Sequence, residues 1–429
     1  MKLLQFIIIA ASIIIAIVAL LIFGGILPGF RLGQGGQSGE ISFWGTLPEK
    51  NLSPVLEDFR QRFQNIKVDY RRIDSKNYID ELVKALAAGQ GPDVFMLEQD
   101  QIIKQRDLVF VLDAKTYPLR AFRDNFADIS ELYARPEGIT GLPFYIDPLV
   151  LFWNRDLFRN AGLTLPPKFW DEFLQDAAEL TVKDGSRLIQ SGAALGEFSN
   201  ISRAKDILAL LILQTGNKIV DPQTLRPVFA ERTGALSPAE EALIFFASFS
   251  DPVKNNYSWS RARSEALEAF GAGGLAMYIG YASEIERILD LNPHLNFDVS
   301  RIPQIRGEKL QATYGRSAAL TLSKQSANKA AALTFMYELT GLDSQNLLSQ
   351  NSFLAPSLRS ALAEKQENPV LDIFYKSAVQ SLGWLDPDPA ETKNIWKEMV
   401  ESFNAGAKNA NQAVTDAQRK FETLVPRQN

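Results

Sequence analysis

The first question is what Asp147 does. It sits in the run Gly141–Phe173, GLPFYIDPLVLFWNRDLFRNAGLTLPPKFWDEF, with Pro143 as a predicted turn before it, Pro148 directly after it, and the continuous apolar stretch Leu149–Trp153 beyond. A charge beside a buried strand is costly unless it is paired or reaches a polar space. The pattern therefore points to a crossing between two domains, with a polar group facing the cleft. Further acceptors follow predicted strand ends: Glu49, then Glu98, Gln99 and Asp100 in succession. At least one of these is expected to face the same cleft, although a solvated charge is the plainer reading for any single one. The chemistry on offer is hydrogen bonding and charge pairing. The chain has no cysteine and one histidine, His294. That excludes disulfides, thiolate nucleophiles and sulfur-based metal sites, and leaves little room for a Ser-His-Asp mechanism. No metal or cofactor is implied, and His294 reads as a surface-loop residue between Pro293 and Leu295.

Those groups need a scaffold. At 429 residues the chain is too long for one ordinary core, and two lobes are expected. A composition 46% hydrophobic and 22% charged is that of a folded protein, and a net charge of -5 argues against a nucleic-acid partner. From Glu40 the pattern alternates strand and helix: strand Ile41–Trp44, helix Pro54–Phe63 with Ser53 as cap, strand Ile66–Ile73, helix Tyr78–Ala88 closed by Gly89, and strand Asp93–Leu97. This order implies a mostly parallel, doubly wound α/β sheet, whose ligands sit outside the carboxyl ends of its strands. The later chain is more helical, with Ser237-Pro238-Ala239-Glu240 as a strong helix start. Short strands are expected at Leu275–Ile279, Phe297–Ile302 and Ala318–Leu322.

The N-terminus is different in kind. The almost unbroken apolar run from Phe6 to Leu27 is long enough to cross a hydrocarbon core, which takes about 20 residues as a helix. It is longer than the apolar part of a typical cleavable signal and ends without a convincing small-x-small site. Residues 1–30 are therefore expected to be an uncleaved anchor, with a cleaved and secreted form as the alternative. Residues 31–39, containing Gly33–Gly39, form a flexible linker by composition.

Several segments, in order, resemble a known family. Gly91-Pro92-Asp93-Val94-Phe95, the run Gly141–Phe173, Glu268–Gly280 (EAFGAGGLAMYIG) and Ala331–Gln345 are similar to motifs of the extracellular solute-binding proteins, family 1, of ABC importers, the maltose-binding-protein-like group. The resemblance spans nearly the whole chain from Glu40. It departs in lacking the lipid-modified cysteine of many relatives, which supports the protein-anchor reading. It implies a type II periplasmic-binding-protein-like fold: two doubly wound α/β lobes joined by a hinge, preceded here by one transmembrane helix. Lobe 1 would comprise residues 40–146 plus 318–346, and lobe 2 residues 147–317 plus 347–429. The chain would cross near Ile146–Leu149, Tyr314–Ala318 and Leu347–Phe353.

The same resemblance implies that the protein captures a solute, an oligosaccharide for preference, and delivers it to an ABC permease from the outer side of the cell membrane. Sugar sites combine aromatic platforms with carboxylates and amides. Trp44, Tyr145, Tyr278, Tyr281, Tyr314 and Trp384 are the candidate platforms, with core packing as the alternative for each. Trp153 and Trp170 are assigned to packing. Asp147 aligns with a sugar-binding acid of oligosaccharide-binding relatives, or is simply a turn residue before Pro148. Asp93 is expected to fix its loop, and Arg316 to pair with a cleft carboxylate. Two other functions stay open. One is a membrane-anchored glycan-acting enzyme, although no motif sets two carboxylates across a bond as glycoside hydrolysis requires. The other is a sensory receptor that reuses the binding fold.

Overall fold

The structure, a computed structural model, describes residues 38–185, 187–232 and 234–425. The expected anchor and all but the last two residues of the expected linker lie outside the described residues. Among the described residues no helix is long and apolar enough to cross a membrane.

The first lobe begins as expected. Strand β1 (Gly39–Gly45), helix α1 (Glu49–Arg62), strand β2 (Ile66–Arg72), helix α2 (Tyr78–Ala87) and strand β3 (Val94–Glu98) follow in order. Both β2 and β3 pair parallel to β1. Gly89 ends the α2 segment at φ 69°, a left-handed conformation that favours glycine. Asp93 fixes its loop, accepting from Ser42 N at 3.1 Å and from the Ser326 hydroxyl at 2.5 Å.

Helix α1 departs from expectation. It starts five residues before Pro54, and the proline lies inside it. The local signal of Ser53 and Pro54 is overridden by tertiary contacts. Leu52 is fully buried, and Lys50 and Asn51 reach Glu286 in the other lobe. Those contacts offset the backbone hydrogen bond that an internal proline removes.

The largest correction concerns the run that holds Asp147. Pro143 and Asp147-Pro148 break nothing: Leu142–Asn154 is one buried 13-residue strand, β4. Its first half pairs antiparallel with the late strand β8 (Thr313–Leu322), and its second half with β6 (Leu275–Tyr281). Pro143 sits where the β4–β8 register shifts. Pro148 sits at the last β8 pairing, just before β4 changes partner. Those are positions where a missing N–H is tolerated.

Beyond β4, the second lobe comprises α3 (Arg155–Asn160), α4 (Trp170–Glu179), β5 (Arg187–Ala193), α5 (Ala204–Gln214), α6 (Pro238–Ser248), β6, α7 (Glu284–Leu291) and β7 (Phe297–Ser300). After β8 come α8 (Lys329–Leu339), α9 (Leu342–Ser352), α10 (Pro369–Val379), α11 (Pro389–Asn404) and α12 (Ala410–Glu422). Ser237 caps α6 in a reciprocal capping box with Glu240, as its sequence promises.

The main path of the sheet runs β2-β1-β3-β8-β4-β6-β5, with the short strand Val182–Asp184 at its edge. The parallel, doubly wound expectation holds for β1–β3 and for β5 beside β6. The centre of the sheet is antiparallel, at β3–β8, β8–β4 and β4–β6. The fold is thus mixed α/β.

Two large apolar cores form along this sheet. One gathers β1–β3, α1, α2, α8 and the near halves of β4 and β8. The other gathers Leu149–Trp153, β6, α4–α6 and the C-terminal helices. Along β4 the side chains change core across Ile146-Asp147-Pro148, and along β8 between Tyr314 and Ala318. Leu348 and Leu354 still pack with the first core, whereas Phe353 and Phe374 pack with the second.

Candidate functional site

The carboxyl ends of β1, β2 and β3 and the middle of β4 and β8 surround a cavity of about 200 Å³. Thr46 and Ser75 offer hydroxyls, Glu98 a carboxylate, Gln101 an amide, Tyr145 a ring and Arg316 a guanidinium. This is the position at which open α/β sheets receive ligands. A larger hollow of about 770 Å³ lies elsewhere, lined by Leu236, Ile244, Phe245 and Phe403, and holds none of the candidate residues.

Asp147 lies between the two cores with no exposed surface. Its carboxylate accepts from Ser283 N at 3.0 Å, from the Ser283 hydroxyl at 2.6 Å and from Arg316 Nη2 at 2.9 Å. Arg316 also lies 3.8 Å from Glu98 Oε1. The pairing expected of Arg316 is present. Asp147 ties β4, β8 and the start of α7 together and presents Arg316 to the cavity. Gln99 works similarly: its amide donates to Gly315 O at 3.1 Å and accepts from Ser317 N at 2.6 Å, locking the end of β3 to β8.

The aromatic candidates divide. Tyr145 lines the cavity. Trp44 is buried under the Arg71 guanidinium, 4.4 Å from its ring. Tyr278 is buried in the second core, 6.0 Å from Phe152 and hydrogen-bonded to Glu284 at 2.8 Å. The Tyr281 ring lies within 5 Å of two guanidiniums, Arg203 at 4.9 Å and Arg316 at 4.6 Å. Tyr314 is buried in the second core, and that burial holds its phenol well above its ordinary value. Trp384 stacks on Trp396 at 5.8 Å and lies beneath the Lys205 ammonium, 5.4 Å away. Glu49 is exposed in the first turn of α1. The structure thus brings Tyr145 and Arg316 to the cavity and packs Tyr281 and Tyr314 into the second core. It leaves Tyr278 and Trp384 packed in the second core.

Sequence reasoning missed a group of charges at the head of α5. Arg203 pairs with Glu284, and Lys205 with Asp386, which is fully buried. Lys205 also donates to Pro389 O and the Thr392 hydroxyl. Burial pushes the Asp386 carboxyl above its ordinary range, with Lys205 and Thr392 pulling against it. Asp206 follows in the same turn. A signal existed: Arg203–Asp206 is a charged run at the start of a helix whose remaining residues, Ile207–Gln214, are all buried. A helix buried along its length can keep charges only at an end that faces something polar.

The two lobes touch at the cleft margins. Lys50 meets Glu286 at 3.0 Å, and Lys104 meets Asp388 at 2.7 Å. Exposed pairs of this kind contribute only ~0–1 kcal/mol, so they join the lobes only weakly. Asp100 follows β3 in the short helical turn Gln99–Gln101. Burial, then the charge of Glu98, push its carboxyl up to about 7, with Lys205 pulling against them and the charges of Asp386 and Asp206 adding smaller pushes.

Comparison with known proteins fits this geometry. A putative binding protein of Brucella abortus is 22% identical over 421 residues, covering 94% of this chain and 98% of that one. The GacH receptor of Streptomyces glaucescens, solved unliganded and with acarbose, superposes with a TM-score of 0.73 at 18% identity, covering 90% of this chain and 98% of that one. An ABC transporter solute-binding protein of Thermotoga lettingae, solved with alpha-D-tagatose, gives 0.71 at 18% identity, covering 91% and 100%. The family model for bacterial extracellular solute-binding proteins matches residues 45–346, well over half of the chain. The chain therefore belongs to the bacterial extracellular solute-binding protein family.

Proposed function

We propose that the protein captures a sugar between its lobes and delivers it to an ABC permease, acting as a binding protein and not an enzyme. The observation that carries this reading is the cavity of about 200 Å³ at the strand ends, where hydroxyl, carboxylate, guanidinium and aromatic groups converge. Such a mixture suits a ligand with many hydroxyls and an apolar ring face. The solved neighbours, which hold acarbose and tagatose, support the same class. The size is below the ~300–1,000 Å³ usual for drug-sized ligands. A cavity of this size would take one sugar ring, and an oligosaccharide would extend from it along the cleft. We assign ligand contact to Tyr145, Glu98 and Arg316, with Asp147 holding Arg316 in place.

A thermal-shift series from single sugars to tetrasaccharides tests the reading. A true ligand at about 100 times its Kd adds ~2.7 kcal/mol to the folded state, an easily measured rise in Tm. If no sugar raises Tm, the sugar assignment falls.

In this reading, lobe 1 comprises residues 40–146 plus 318–346, and lobe 2 residues 147–317 plus 347–429. Residues 6–27 tether the pair to the outer face of the cell membrane, keeping the receptor at high effective concentration beside its permease. The full-length chain should remain in the membrane pellet after alkaline carbonate extraction. Release into the medium with a new N-terminus before Glu40 would instead establish the cleaved form.

A further inference from the structure

We propose that Glu98 sets the charge selectivity of the cavity, admitting uncharged sugars and shutting out sugar acids. The inference rests on the sugar reading above and assigns its selectivity to one side chain. Glu98 and Arg316 are the charged residues that line the cavity. Glu98 ends β3 and pairs with Ala318 of β8. Arg316 lies two residues before Ala318, so all three side chains share one face of the sheet.

The two groups stand side by side with a gap between them. Arg316 Nη1 and Glu98 Oε1 are 3.8 Å apart, too far for a hydrogen bond. Arg316 has five N–H donors. Nη2 gives one to Asp147 at 2.9 Å, and Nε is shut off from solvent without an acceptor. Among the described residues the Glu98 carboxylate meets Arg316 only at that longer distance and accepts no hydrogen bond. The hydroxyl of Tyr145, a residue 3% exposed, is likewise without a hydrogen-bond partner among them. The cavity therefore holds a donor, a charged acceptor and a buried phenol that its own walls leave unsatisfied.

A hydroxyl completes this arrangement, because it can donate to Glu98 and accept from Arg316 at once. The carboxylate of a sugar acid cannot. It can accept from Arg316 but has no hydrogen to offer Glu98. Charge works the same way. The fully buried Asp147 already balances Arg316, which leaves Glu98 as the unbalanced charge of the cavity. Arg203, which shares the Tyr281 ring with Arg316, is held by Glu284 at 2.5 Å. Thr46, Ser75 and Gln101 can donate hydrogen bonds to an entering anion but carry no charge to offset it. A second carboxylate thus enters against a like charge in a partly desolvated site, where repulsion is stronger than in water.

Calorimetric titration of the full-length chain in detergent at pH 7.5 tests this with matched pairs: glucose against glucuronate, galactose against galacturonate, and α-1,4-galactobiose against digalacturonate. In the tightest pair the neutral sugar should bind at least about tenfold tighter than its acid. Glu98→Gln should cut that preference below about threefold, with the acid gaining affinity outright because Arg316 is then free to pair with it. Glu98→Ala should narrow the preference as well, which separates the loss of charge from the gain of an amide. The Tm of each variant checks that it has folded, and no hydrogen bond of the Glu98 carboxylate is lost in either. Acids that bind wild type as tightly as neutral sugars, or a preference that survives both variants, would overturn the role of Glu98 and leave the sugar reading standing. Binding of none of the six probes overturns the single-ring seat on which both readings rest.

Discussion

Replacing Asp147 with alanine should lower the unfolding free energy by about 3–5 kcal/mol, the range seen when one partner of a buried ion pair is removed. Asp147 is fully buried, and the side chain of Arg316 is 28% exposed. Alanine would leave the guanidinium with only Glu98, 3.8 Å away, and leave the Ser283 amide and hydroxyl without their acceptor. Asp147→Asn should cost less, because an amide oxygen can still accept from Ser283. Urea unfolding of both variants and wild type measures this, with the m-value checked to confirm that only stability has changed. A loss below about 1 kcal/mol for alanine would mean that Asp147 is not the tie between β4, β8 and α7 that its contacts describe.

Lys205→Met should cost a similar ~3–5 kcal/mol at pH 7, and the loss should shrink on acidification. Burial already raises the Asp386 carboxyl, and Lys205 restrains it. Without the ammonium the carboxyl rises further. Over the pH range between its ordinary value and that raised one, the folded variant holds a proton that the unfolded chain does not. Stability from such a group is present at low pH and lost as pH rises through the folded value. The variant should therefore recover relative to wild type as pH falls toward about 4. Adding Asp386→Leu should restore much of the loss at pH 7, since an apolar pair can replace a buried ion pair. A deficit independent of pH would show that Lys205 acts through packing on Trp384, 5.4 Å away, and not through Asp386.

The two substitutions probe opposite halves of what could be read in advance. Asp147 stood out because a charge next to Leu149–Trp153 has no cheap explanation, and Arg316 was expected to pair with a cleft carboxylate. Lys205 and Asp386 did not stand out. They are 181 residues apart, and each looks ordinary in its own segment. The aromatic candidates show the same limit. A tyrosine after a strand and a tryptophan in a loop have the same local signature whether they face a cleft or a core. Tyr278 faces Phe152, Trp384 faces Trp396, and only Tyr145 among the proposed platforms lines the cavity.

By itself the sequence determined the strand and helix order of the first lobe, the stop at Gly89, the capping box at Ser237, and the motifs of a solute-binding family. These are local: each rests on residue periodicity, on a positive φ or on a cap within a few positions. Tertiary structure alone decided that Pro143 and Pro148 lie within one strand, because only the β8 and β6 pairings show where a missing N–H does no harm. It decided that the centre of the sheet is antiparallel, because strands as distant as β3 and β8 meet only once the lobes have formed. It also decided the charge of the cleft. Asp147 with Arg316, and Lys205 with Asp386, become balanced pairs only once segments 169 and 181 residues apart pack together.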